Sequence, residues 1–350
     1  MKILMVNASY GGVSGSGRAV KLLSEELLAR GLKIDLFTDK TVGRLNIPKL
    51  KSISFTVLAK LREKRNYDII HVHSPKFSEA VEKHSNNILT IHGDFLTEFQ
   101  LSYGSLMSNL FDRWFSRERG KFRAITCVSP YWSKLRGWKY IPNGLDLEKI
   151  KEIPPSDERF VLFVGRKDRI KGYELFEEAA KETSYPYKML GVHERAPWRQ
   201  VISYMKSAYC LVLPTLQEGM PYSILEAFAS GCPVIATDLP PLRSFGEGAI
   251  RFLNERNAEC IKTAIEEVVE DRTLRQKLKR KGLQKAREYD IRKVADQYVS
   301  VYEEAIANLK KMRKKATDFG HGERQFKYNT ATFSTRLLSS KARRKFFQSS

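Results

Sequence analysis

Short apolar runs alternate with longer amphipathic ones through the first half of the chain. Lys2–Asn7, Lys33–Thr38, Asp68–His73, Asn87–His92, Ala124–Ser129 and Lys139–Ile141 are strand-like. Between the first two, Gly17–Arg30 sets apolar residues at 19, 20, 22, 23, 27 and 28, the spacing of one helix face. Continuous apolar strands, each followed by such a helix, predict a parallel sheet covered on both faces. At Ile153–Pro155 a proline pair flanked by charges interrupts the pattern and reads as a linker. The pattern then restarts, with strands predicted at Arg159–Val164, Tyr187–Leu190, Tyr209–Pro214 and Pro233–Ala236. Helices are predicted at Gly172–Thr183, Trp198–Ser207 and Tyr222–Ser230, and the reading stays helical from Glu255 to Lys315. The expected division is an N-terminal Rossmann-like lobe at 1–152, a second at 153–295, a helix at 296–315 returning to the first lobe, and a basic tail at 316–350.

Composition agrees with two globular lobes. A chain of 350 residues with 42% hydrophobic positions is long and apolar enough for two cores. Lysine and arginine, 61 against 40 acidic residues, leave a charge of +21, which calls for anionic partners such as phosphates, nucleic acid or an acidic membrane surface. The tail carries much of it: Lys310 to Ser350 holds twelve Lys or Arg against Asp318 and Glu323. Cys127, Cys210, Cys232 and Cys260 form no CxxC pair, so buried reduced thiols are expected rather than a zinc site or disulfide framework. The opening MKILMVNASYGG has too short an apolar run for a signal peptide, and no run nears the ~18 apolar residues of a spanning helix. A soluble cytoplasmic protein is expected, at most peripheral on the inner face of the membrane.

Three segments carry chemistry. The first strand-to-helix turn, Asn7 to Gly17, is rich in glycine, which lets backbone approach a phosphate while the following helix offers its N–H groups. Gly15-x-Gly17-x-x-Val20 lacks the third glycine of a dinucleotide fingerprint, although Asp39 ends the second strand where a ribose-binding acid would stand. A dehydrogenase and a merely flexible turn are therefore both weighed for this segment. In VLFVGRKDRIKG, residues 161–172, Arg166 and Lys171 fall near a helix N-terminus, a placement suited to a pyrophosphate; two solvated cations are the plain alternative. In LPTLQEGMPYSILEAFASGCPVIATD, residues 213–238, Glu218 lies in a loop and Glu226 two turns into the following helix, which Pro221 suits at its start.

Taken in order, these segments resemble the retaining glycosyltransferases of family 4, which have the two-lobed GT-B fold. The matching pieces are the Gly11–Gly12 turn, TIHGDF at 90–95, CVSPYWSKL at 127–135, IPNGLD at 141–146, GR-x4-KG at 165–172 and the E-x7-E element at 218–236, across residues 1–305. The resemblance implies that Arg166 and Lys171 bind the donor diphosphate, with Gly12 approaching from the other lobe. It implies that Glu226 holds the ribose, and that Glu218 with the backbone of Gly219, Met220 and Pro221 holds the transferred sugar. His92 would lie beside sugar and phosphate. Cations and helix ends would stabilise the departing diphosphate, so neither metal nor cofactor is expected. Two departures stand out. After Leu190 the chain passes through Gly191, Val192 and His193 almost directly to the next helix, about 25 residues short of the usual repeat, where the base is normally held. The family's later glycine pair is replaced by Pro240 and Pro241.

Further residues are read more plainly. His193 is a candidate for facing the base, and His71 and His73 alternate on a strand, where a core role competes with a functional one. Met107, Leu110, Phe111 and Trp114 follow helical spacing, with Arg113, Arg117, Arg119, Lys121 and Arg123 around them. A core stripe with a solvated basic face is one reading; a peripheral helix over 106–123 meeting anionic lipid, reinforced by Phe346 and Phe347 in the tail, is the other. The function expected is transfer of a UDP- or GDP-sugar to a glycan or lipid-linked acceptor. The alternatives are a catalytically weak binding protein of the same fold and a nucleic-acid binder through the tail, the latter without a recognition motif. The second lobe leaves the dehydrogenase reading no place for GR-x4-KG and E-x7-E.

Overall fold

A computed structural model describes residues 1–318 except 13, 48, 49, 65, 84 and 85, and leaves the side chains of 102 and 309–318 undescribed. The basic tail therefore lies almost wholly outside the described residues. The first half runs β1 (Lys2–Val6), α1 (Gly15–Ala29), β2 (Lys33–Phe37), α2 (Lys51–Leu61), β3 (Ile69–Val72), β4 (Asn87–Ile91), α3 (Phe95–Tyr103), α4 (Ser105–Glu118), β5 (Ala124–Cys127), α5 (Pro130–Arg136) and β6 (Lys139–Tyr140). The second half runs α6 (Leu147–Glu152), β7 (Val161–Val164), α7 (Tyr173–Lys181), β8 (Tyr187–Leu190), α8 (Trp198–Ser207), β9 (Cys210–Leu213) and α9 (Tyr222–Ser230). It closes with β10 (Val234–Thr237), α10 (Pro240–Gly246), β11 (Ile250–Leu253), α11 (Ala258–Glu270), α12 (Arg272–Ala286) and α13 (Ile291–Asp318).

The strands form two parallel sheets, ordered β2-β1-β3-β4-β5-β6 and β11-β10-β9-β7-β8. This is the two-lobed GT-B architecture with Rossmann-like sheets. The strands are buried on both faces because they are apolar at successive positions, as in the fully buried Ile3–Val6 and Leu211–Leu213. α1 starts where Ser14 caps it, accepting from the Gly17 amide, and turns Val20, Leu23 and Leu27 onto the first sheet.

In each sheet the order reverses once: between β1 and β3 in the first, between β7 and β9 in the second. Open parallel sheets bind ligands at such switch points, outside the carboxyl ends of the strands. Those ends carry Asn7–Gly17 and His73 in one lobe, and Gly165–Gly172 and Pro214–Glu218 in the other.

Two strands of chain join the lobes. Where they run side by side, Leu145 donates its N–H to the Tyr289 carbonyl and accepts from the Ile291 N–H, and a Cβ at Gly144 would stand 2.5 Å from Ile291 Cδ1. From there α13 returns to the first sheet, burying Val294, Tyr298, Val301 and Tyr302 against Ile3, Met5, Ile69 and Ile88. Beneath it His71 is fully buried, bonded through Nδ1 to Tyr302 Oη at 2.7 Å and through Nε2 to Thr90 Oγ1 at 2.6 Å. His71 is thus a core histidine.

α10 and β11 lie where the sequence carried no expectation, and α4 matches its predicted core stripe only in part. Pro240 and Pro241 open helix α10, whose first turn needs no backbone N–H, and α10 packs on α5 of the other lobe. β11 was not expected, and pairs with β10 along its whole length. In α4 the aromatic residues Phe111, Trp114 and Phe115 and the buried Ser108 face inward, while Leu106, Met107 and Leu110 are exposed. Cys127, Cys210 and Cys232 are buried free thiols and Cys260 is half-buried. Among the described residues no helix is long and apolar enough to cross a membrane.

The His71 pair gives a stability test. Tyr302→Phe strips a buried ring nitrogen of its partner and should cost about 1–3 kcal/mol in urea unfolding at neutral pH. An unchanged midpoint would show that the Tyr302–His71 bond adds nothing to the hold on α13.

Candidate functional site in the cleft between the lobes

Backbone from the two lobes meets at Gly219. A Cβ there would stand 2.9 Å from Gly93 Cα and 3.0 Å from the His92 carbonyl oxygen, so only glycine fits. Beside it Gln217 Nε2 donates to the Asp94 carbonyl at 2.5 Å, and Asn143 Nδ2 donates to the Met220 carbonyl at 2.9 Å. Gly219, Met220 and Pro221, which N-caps α9, thus lie directly against the His92–Gly93 strand end.

The Asn143 bond fixes a chain of protons. With its amide donating to Met220, Oδ1 must accept, so His92 Nδ1–H donates to it at 3.3 Å. The neutral ring then accepts at Nε2, and His73 Nδ1–H is the donor at 3.1 Å. His73 Nε2 is left buried without a partner. Burial holds all three histidines neutral: His71 is pushed down to about 3, His92 to about 4 against the opposing Asn143 bond, and His73 well below its ordinary value, helped by His71 and His92.

On the second lobe, Lys171 closes a 3-10 turn (Arg169–Lys171) before Gly172, whose φ of 71° starts α7. A Cβ at Gly172 would lie 2.0 Å from the Pro214 carbonyl oxygen, so glycine lets this turn press on the loop carrying Glu218. The Lys171 ammonium forms an ion pair with Glu218 Oε1, both side chains being largely buried. Arg166 points outward, 65% exposed, and pairs with Asp168 at 3.5 Å.

Glu226 lies deeper, 2% exposed on α9. Its Oε1 receives the Trp198 indole N–H at 2.6 Å and the Arg18 guanidinium, which reaches across from α1 of the first lobe. Arg18 also stacks over the Tyr222 ring at 5.0 Å and the Trp198 ring at 5.5 Å. Burial raises the Glu226 carboxyl, and Arg18 and Trp198 pull it back toward the charged form.

The structure therefore gathers Lys171, Glu218, Gly219, Met220, Pro221 and His92 along one seam, with Glu226 on the helix that begins there. Gly12, φ 69°, sits in the first turn with open space where a Cβ would be. His193 is apart: its imidazole is half-exposed, 3.6 Å from Glu177 on α7, and no hydrogen bond or ion pair joins it to Glu226. Among the described residues no three His, Cys, Asp or Glu come together as a metal site. Sequence reasoning missed Arg18, Trp198 and Asn143. Arg18 had one signal, a cation directly after a glycine-rich turn, and Asn143 stood inside a quoted motif without a role; Trp198 had none.

The arrangement agrees with sequence comparison. Residues 13–149 match the sequence model described as Glycosyltransferase Family 4, and 187–285 match Glycosyl transferases group 1, one match on each lobe. A Bacillus subtilis protein named as a teichuronic acid biosynthesis glycosyltransferase, TuaC, is 28% identical over 258 residues, 61% of this chain and 65% of TuaC; the chain thus spans slightly less than two thirds of that relative. Among solved structures, sucrose-phosphate synthase from Thermosynechococcus elongatus superposes with a TM-score of 0.74 at 18% identity, covering 88% of this chain and 99% of that one. Anabaena HepE, solved with UDP and glucose, gives 0.64 at 15% identity, covering 87% and 99%.

The buried histidines set a pH dependence. Their folded values lie below the 6.5 of an unfolded histidine, so their contribution is complete above about pH 6.5 and lost as pH falls toward 4 and 3. Each should cost about 1.4 kcal/mol per pH unit through that window. Urea unfolding of His92→Gln should show a shallower acid slope than the unmodified chain, and an equal slope would mean that His92 is not held neutral.

Proposed function

Because this chain belongs to family 4 of the glycosyltransferases and has their GT-B fold, we propose that it moves a sugar from a nucleotide-diphosphate sugar to a glycan or lipid-linked acceptor with retention of configuration. The observation that carries this reading is the Lys171–Glu218 ion pair beside the Gly219 approach. A buried cation and a buried carboxylate at a switch point match the two ends of a glycosyl diphosphate. The diphosphate takes Lys171 and draws in the exposed Arg166, while the open Gly12 turn meets it from the other lobe. Glu218, freed of its lysine, accepts from hydroxyls of the transferred sugar, held also by the backbone of Gly219, Met220 and Pro221. Glu226 takes the ribose.

The acceptor hydroxyl attacks the anomeric carbon on the face the diphosphate leaves, through an oxocarbenium-like state, and its proton passes to the departing phosphate oxygen. Lys171, Arg166 and the helix ends stabilise the leaving charge, the place a metal ion would otherwise fill. His92 acts by position: both its ring nitrogens are engaged, one on Asn143 and one on His73.

The UDP and glucose held by HepE favour a UDP-sugar donor, and the name of TuaC favours an acceptor in polysaccharide assembly. A lipid-linked acceptor would bring the enzyme to an anionic membrane, and α4 offers Leu106, Met107 and Leu110 outward beside the exposed Arg113 and Arg117. The five-stranded second sheet supports a second reading, a binding protein with little turnover. Donor binding without transfer across a panel of acceptors would favour it.

The purified chain is incubated with UDP- and GDP-sugars and a panel of glycan acceptors. Glu218→Ala should lower turnover about 10²-fold or more, and Lys171→Ala should do likewise. Unchanged turnover in Glu218→Ala would overturn the site, and an inverted anomeric centre in the product would overturn retention.

A further inference from the structure

Arg18 is a charged residue of this cleft that neither motif accounts for. Its place is set by the turn before it. A Cβ at Gly17 would stand 2.8 Å from the Gly11 carbonyl oxygen, so α1 can begin only this close to the glycine turn because residue 17 has no side chain. One residue later the Arg18 side chain leaves the helix, crosses between the aromatic faces of Tyr222 and Trp198, and ends on Glu226 Oε1. Trp198 donates to that same oxygen. Oε2 of Glu226 meets no donor among the described residues, so one face of a buried carboxylate is engaged and the other free.

Other cations around α9 are turned away. On α12, Lys279 lies under Gly231, its Cε 3.1 Å from where a Cβ would stand. On α6, Lys149 is tied to Asp146 at 2.9 Å, and on α8, Lys206 bonds the Lys151 and Ile153 carbonyls while Arg199 is exposed. Arg18 is therefore the charge that answers Glu226 from the elements packed on its helix.

We propose that Arg18 is a positioning residue for the donor nucleoside: from the first lobe it holds the Glu226 carboxylate by one oxygen so that the other meets the ribose hydroxyls. This rests on the assignment of Glu226 to the ribose. It also places recognition of the nucleoside across both lobes, since the carboxylate of one is set by the arginine of the other. A pair that served only to join the lobes would treat every ligand of the cleft alike. A positioning residue touches the ribose contact and spares the phosphates.

Isothermal titration of the full chain with UDP, GDP, their 2′,3′-dideoxy counterparts and pyrophosphate separates these. The unmodified chain should prefer the better nucleoside diphosphate over its dideoxy form by about 10-fold or more. Arg18→Gln should cut that preference to about 3-fold or less and leave pyrophosphate affinity within about 2-fold, while Arg18→Lys, which keeps the charge, should retain most of the preference. Arg18→Met keeps the stem that stacks on Tyr222 and Trp198, and replaces the glutamine variant if that one melts early. A full preference in Arg18→Gln or Arg18→Met, or an equal loss for nucleotide and pyrophosphate, overturns the proposal. Glu226→Ala, which removes the acceptor, tells the two levels apart. If it keeps the preference, the ribose assignment falls as well; if it loses the preference while the Arg18 variants keep it, only the role of Arg18 falls. Failure of the unmodified chain to bind either nucleoside diphosphate overturns both.

Discussion

A carboxylate taken out of water must be answered by a cation or give up its charge. At the cleft Glu218 and Glu226, eight residues apart, are both in that position. Lys171 answers the first from the same lobe and Arg18 answers the second from the other. Breaking such a buried pair by removing one partner typically costs about 3–5 kcal/mol, more than the net worth of the pair itself. The cleft is therefore a place where charge is kept ready, and an incoming anion with hydroxyls can replace what the protein itself supplies.

Glycine makes this closeness feasible. Gly219 lets the loop of one lobe touch the His92–Gly93 strand end of the other, and Gly172 lets the lysine turn press onto the glutamate loop. One side chain at the seam is committed through both its polar atoms. Asn143 uses its amide on Met220 and its carbonyl on His92, and the resulting order of protons runs back to His73 and leaves no N–H of His92 for a ligand. The seam is rigid in its donors and acceptors, which suits a site whose work is to hold two substrates in register.

Much of this was legible in the sequence. Strands such as Leu211–Leu213 announce themselves because every position is apolar, and Glu218 and Glu226 fall into a spacing that a loop followed by a helix converts into two depths of one cleft. What escaped reading has a physical cause in each case. α2 buries Phe55 and Ala59 but turns Ile53, Val57 and Leu61 outward, so apolar residues on both faces hide its core side. Pro240 and Pro241 stood out only as replacing a glycine pair, yet they open a helix, whose first turn tolerates both. Arg18 meets a residue 208 positions away, a distance over which no local pattern operates. Trp198 was visible only as the start of a helix, and its partner became apparent only when α8 was seen beside α9.

The central claim is that the donor is held by both lobes at once. Hydrogen exchange of the full chain, followed with and without saturating UDP or GDP, measures this directly. The account predicts slowed exchange both in the first turn and start of α1, residues 9–20, and in the 165–172 and 215–226 segments. Protection confined to the second lobe would contradict it, since the arginine and glycine turn of the first lobe would then take no part in holding the nucleotide.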